Sequence, residues 1–123
     1  MFKNILLVAL GGALGSSLRY ITWLLTGTRE FPLSTFIVNI IGCFVIGLVL
    51  AVSMKNEAFQ LNWKLFLATG ICGGFTTFSA FSFENLHLIQ NGKYLLCLLY
   101  ITASVVLGIV ATWGGWMVGT REF

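Results

Sequence analysis

Aspartate is absent from this chain, proline occurs once, histidine once, and only 9% of the 123 residues are charged. Each scarcity removes a class of protein. So few charges against 58% hydrophobic residues, with a mean hydropathy of +0.94, exclude a soluble globular domain, in which about a quarter of residues are charged. The seven basic residues form no run and are not interleaved with aromatics in a polar segment, which argues against nucleic acid despite a net charge of +3. Cys43, Cys72 and Cys97 have no metal-ligand spacing and an odd count, so they read as small buried hydrophobes. No nucleophile elbow, phosphate loop or dinucleotide fingerprint is present, and the chain is not expected to be an enzyme.

What is present is four apolar stretches, Asn4 to Leu25, Leu33 to Met54, Trp63 to about Leu88, and Tyr94 to Val118. Each reaches the ~20 residues that cross ~30 Å of hydrocarbon as a helix. Short polar joints separate them, and Pro32 is placed to open the second helix. The expected fold is an all-α integral membrane protein, one four-span domain over residues 1–123, multi-pass in the cell membrane. The first stretch is not expected to be a cleaved signal peptide, because apolar character resumes after Arg19 and no small-residue cleavage site is evident. With the N-terminus cytoplasmic, Lys3, Lys55, Lys64 and Arg121 face Arg29 and Lys93 across the membrane, a weak bias compatible with both orientations.

Polar residues inside spans are functional candidates, since hydrocarbon offers them no partners. Arg19 has two readings, a snorkelling anchor or a fixed charge that draws an anion. The Asn39 amide either bonds a neighbouring helix or offers donors to a ligand. The stretch Gly73-Gly74-Phe75-Thr76-Thr77-Phe78-Ser79-Ala80-Phe81-Ser82 joins two helix-weakening glycines to hydroxyls that stabilise a break, so the third helix is expected to be discontinuous near Gly73 to Thr77. Phe75, Phe78 and Phe81 recur every three residues, as a packed core face or as rings whose positive edges approach an anion. Glu84 and His87 have the Glu-x-x-His spacing of di-iron bundles, but Glu30, Glu57 and Glu122 lie outside the spans and complete no such centre. On the fourth span Tyr100 and Ser104 share a face, Trp113 and Trp116 read as an interface belt, and Gly115 and Gly119 as a close-packing pair. Gly-Thr-Arg-Glu-Phe occurs at 27–31 and again at 119–123, with no physical account. Four short spans enclose little interior, so a pore needs a second copy.

Three segments together resemble the small Fluc (CrcB-type) fluoride channels: Gly11-Gly12-Ala13-Leu14-Gly15 leading to Arg19-Tyr20, Pro32-Leu33-Ser34-Thr35-Phe36 with Asn39 and Gly42, and Gly73 to Ser82 with Glu84. The resemblance covers essentially the whole chain. It implies a fluoride-selective passive channel that relieves fluoride toxicity, built as an antiparallel, dual-topology homodimer with two pores. It further implies pore roles for Phe78, Phe81 and Asn39, with Ser79, Tyr100 and Ser104 on a polar track and Arg19 near the entrance. A structural Na+ at the dimer interface would be held by backbone carbonyls of Gly73 and Thr76. One departure is Gly108, one turn after Ser104, where relatives can carry another hydroxyl. The rival reading is a small four-helix multidrug exporter that trades protons for cations, but its carboxylate on the first span is missing here.

Overall fold

The computed structural model describes residues 1–27, 29–57 and 60–122. Four helical spans fill it: α1 (Phe2–Thr26), α2 (Leu33–Lys55), a third span over Asn62–Gln90, and a last helix, α5 (Tyr94–Glu122). All four are long and apolar enough to cross a bilayer, as expected from hydropathy. The chain is a multi-pass membrane protein. Of the repeated pentapeptides, Thr28 and Phe123 lie outside the described residues.

The third span is two half-helices, α3 (residues 62–75) and α4 (Phe78–Gln90). Between them Thr76 (φ −80°, ψ 156°) and Thr77 (φ −150°, ψ 117°) are extended. The break therefore lies within the expected segment but not at the glycines, because Gly73–Phe75 still form a helical turn. Phe75 accordingly ends α3, and only Phe78 and Phe81 lie on the half-helix that follows. A second irregularity had no sequence signal: Leu65–Cys72, inside α3, is wound as a π-helix, a form found mostly as single turns at functional positions.

Glycines set how the spans meet. Gly11 and Gly15 are buried on α1 and face α3. A Cβ on Gly70 would lie 2.8 Å from the Gly11 Cα, and one on Gly74 would lie 2.6 Å from the Gly12 carbonyl oxygen, so α1 and α3 touch backbone to backbone. The pair expected on the last helix does the same against α2, a Cβ on Gly115 lying 2.9 Å from the Leu48 nitrogen and one on Gly119 lying 2.9 Å from the Leu48 carbonyl oxygen. Gly15→Val should therefore separate α1 from α3, since its Cβ alone would sit 2.8 Å from the Phe75 nitrogen. The expected loss is ~1–3 kcal/mol or more. Thermal unfolding in detergent checks it, and an unchanged midpoint would refute the seam.

Candidate functional site: a helix break beside a neutral cavity

Breaking a helix frees backbone groups that a bilayer cannot solvate, so their partners define the site. Asn39 of α2 takes both sides of Thr77: its Oδ1 accepts from the Thr77 N–H at 2.8 Å, and its Nδ2 donates to the Thr77 carbonyl at 3.3 Å. Arg19 of α1 donates from Nε to the Gly74 carbonyl at 3.1 Å, placing a cation at the negative C-terminal end of α3. Thr76 turns its hydroxyl back to the Cys72 carbonyl at 2.9 Å. Thr77 caps α4, its Oγ1 accepting from the Ala80 N–H at 3.1 Å and lying 3.3 Å from the Ser79 hydroxyl.

The Thr77 N–H that would close a helical turn on Gly73 goes to Asn39, and the Ala80 N–H that would reach Thr76 goes to a side chain. The Gly73 and Thr76 carbonyls thus lose their regular helical partners at the break. No cluster of three or more His, Cys, Asp or Glu side chains fit for a metal occurs among the described residues.

Beside the break lies a cavity of about 440 Å³. Its wall includes Asn39, Phe78, Phe81, Ser104, Gly73 and Thr76, all of them candidates from the sequence. No charged side chain is among its described lining residues. Phe78 is 78% exposed, and its ring lies 5.8 Å from that of Phe81. Ser104 Oγ is buried with no hydrogen-bond partner among the described residues.

A second cavity, about 370 Å³, contains Arg19, Ser34, Thr35 and Glu84, and Thr77 lines both. A groove of about 490 Å³ leaves the central cavity through the shared residues Cys43, Ser104 and Val105 and ends at Trp113 and Trp116. Arg19 lies towards the C-terminal end of α1, and the tryptophans lie towards the C-terminal end of α5. The central space thus shares a lining residue with the Arg19 cavity and three with the groove.

The structure does not bring every candidate to the cavity. Tyr100 is fully buried and donates to Glu84 Oε1 at 3.0 Å, with the rings of Phe81 and Phe31 at 4.9 and 5.2 Å. Ser79 is exposed and is absent from the described lining of the central cavity. His87 turns away, its Nε2 3.2 Å from the Asn91 amide. Two residues had no role assigned from the sequence. Thr35 donates to Glu84 Oε2 at 2.7 Å, so both carboxylate oxygens are bound by hydroxyls. Asn85 is buried, donates to the Phe81 carbonyl at 2.9 Å and accepts from the Cys97 thiol at 3.3 Å. A polar residue in an apolar span was the available signal for each.

Comparisons with known proteins agree with this architecture. The family model described as "CrcB-like protein, Camphor Resistance (CrcB)" matches residues 6–116. A protein of Flavobacterium psychrophilum, named "Fluoride-specific ion channel FluC", is 50% identical over 116 residues, covering 92% of this chain and 94% of that one. Proteins of the same name from Azobacteroides pseudotrichonymphae and Oceanobacillus iheyensis are 45% and 46% identical, over 95% and 87% of this chain and 96% and 84% of theirs. Match length and identity extend through all four spans, and the chain belongs to the CrcB family.

Proposed function

We propose that this protein is a fluoride-selective passive channel of the plasma membrane, exporting cytoplasmic fluoride and so relieving its toxicity. The observation that carries the reading is the central cavity, where an amide, hydroxyls and two phenyl rings meet with no charged group among the described lining residues. Such a wall supplies partial positive charge without a fixed cation to trap the ion. Hydroxyl and amide donors, with ring edges, replace the tight hydration shell of a small anion better than that of a larger one. The first N–H groups of α4, which begin at the cavity, add to that field.

Hydrogen fluoride is a weak acid that crosses membranes neutral and ionises in the more alkaline cytoplasm. A passive pore drains the trapped anion, because an interior-negative potential favours export by ~2.3 kcal/mol per 100 mV. Arg19 attracts the anion towards the second cavity while its Nε holds the break. From there the path runs past Thr77 to Asn39, Phe78, Phe81 and Ser104, with Ser79 and Tyr100 placed beside it as positioning residues.

The working unit is an antiparallel, dual-topology homodimer with two pores. An open cavity with an amide and hydroxyls in its wall, and an exposed Gly73 backbone, are poorly suited to lipid and call for a covering copy. Gly73 and Thr76 of both copies would hold a structural Na+, which supplies charge at the interface and takes no part in transport. The multidrug-exporter alternative is not favoured, because the first span carries Arg19 and the membrane carboxylate, Glu84, is held by two hydroxyls.

Purified protein in liposomes loaded with potassium fluoride should release fluoride rapidly once valinomycin is added, as read by an external electrode. Chloride-loaded liposomes should release almost none, and replacing sodium by N-methylglucamine throughout purification should lower the active fraction. Equal chloride and fluoride release would refute selectivity, and full activity without sodium would refute the ion's role.

A further inference from the structure

Cys43, Ser104 and Val105 line both the central cavity and the groove that leaves it between α2 and α5. At this junction Ser104 Oγ is buried and unpartnered among the described residues. A buried hydroxyl with no partner is costly, so one on a cavity wall points to a ligand. One turn further along α5, Gly108 offers no side chain. A Cβ built there would meet a single neighbour, the Cys43 Sγ, at 3.4 Å. The thiol of α2 thus borders the space that a hydroxyl at 108 would enter. On the next turn Thr112 also lines the groove, but its hydroxyl already donates to the Gly108 carbonyl at 3.0 Å. Between Ser104 and the tryptophans, the uncommitted donor is the S–H of Cys43, which is half-buried, in no disulfide and in no hydrogen bond among the described residues. A thiol is a weak donor, but it is neutral and does not repel an anion.

We propose that Cys43 lines the anion path as a thiol donor in place of the hydroxyl missing at 108, and that this makes the path a site for blockade by thiol reagents. The inference rests on the fluoride-channel reading. Methyl methanethiosulfonate is a suitable probe. The Cys43 thiolate attacks its sulfenyl sulfur, the reagent's S–S bond breaks, methanesulfinate leaves, and a methyl mixed disulfide remains. The S–H donor is lost and a methylthio group is added at the junction.

Fluoride efflux from liposomes is compared for wild type, Cys43→Ala, Cys43→Ser and the double variant Cys43→Ala with Gly108→Ser. Cys43→Ala should slow efflux ~3- to 10-fold, the scale of one weak hydrogen bond. Cys43→Ser and the double variant should both recover much of the rate that Cys43→Ala loses. The reagent should slow wild type about tenfold or more, reversibly with dithiothreitol, and leave Cys43→Ser unaffected. This contrast separates Cys43 from Cys72, which also lines the central cavity but is buried. If Cys43→Ala fails to fold, the reagent's effect on wild type decides. Unchanged efflux after modification of Cys43, verified by mass, overturns the assignment while leaving the channel reading intact. Wild type that releases no fluoride overturns both.

Discussion

Asn39→Ala is expected to abolish measurable fluoride efflux and to lower the unfolding midpoint in detergent. The amide is the partner of both the N–H and the carbonyl of Thr77, at 2.8 and 3.3 Å, in a part of the chain that has left the helix. Removing it strands two backbone groups where water is scarce, at ~1–3 kcal/mol each. Thr77 lines both the Arg19 cavity and the central one, so its displacement would also disturb the passage between them. Asn39→Asp is the informative companion: it keeps the acceptor for the Thr77 N–H, loses the donor, and places a carboxyl group in the path. Stability should then recover in part while efflux stays low. An alanine variant with the wild-type midpoint and rate would show that Asn39 neither clasps the break nor serves the path.

Phe78→Ile and Phe81→Ile are the second pair, each expected to slow fluoride efflux about tenfold or more. Isoleucine keeps an apolar side chain but has no ring quadrupole, so the substitution tests the positive edge and not mere hydrophobicity. The two should differ in stability. Phe78 is 78% exposed and packs little within its own copy, whereas Phe81 lies 4.9 Å from the ring of Tyr100, which itself holds Glu84. Phe81→Ile should therefore also cost ~0.5–1.5 kcal/mol of ring packing. Efflux and thermal unfolding of both variants separate the effects. Wild-type flux in both would refute the ring-lined path.

Most of the fold is legible in the sequence because hydropathy and helix length are local quantities. The expected spans end within a few residues of the observed ones, and the second begins at Leu33 in both. The break was also locally signalled, by glycines and hydroxyls in succession. Its position was not. Asn39, 38 residues away, takes the Thr77 N–H, so the helix parts at Thr76 and Thr77 while Gly73 and Gly74 stay helical. For the same reason Phe75 could not be assigned to its half of the span. The candidate site was legible as a set of residue types; which of them meet was not. Asn39, Phe78, Phe81 and Ser104 share a wall, whereas Tyr100, one turn from Ser104, is drawn to Glu84. Arg19 reads in the sequence as an anchor or a fixed charge, and its bond to the Gly74 carbonyl, 55 residues away, has no local signal. The π-wound turn has no counterpart in periodicity, since the same side chains suit an ordinary helix.

The seam between α1 and α3 is made of backbone, and that decides how freely α1 can vary. Leu10, Leu14 and Leu18 are 60%, 51% and 47% exposed and contribute little to the seam. Their identity therefore matters little to this seam. Gly11 and Gly15 tolerate no added carbon, and Arg19 has a specific carbonyl to reach. A helix of 25 residues therefore carries the specification of this seam in a handful of letters, and drift along its outer face rewrites that surface without touching the break.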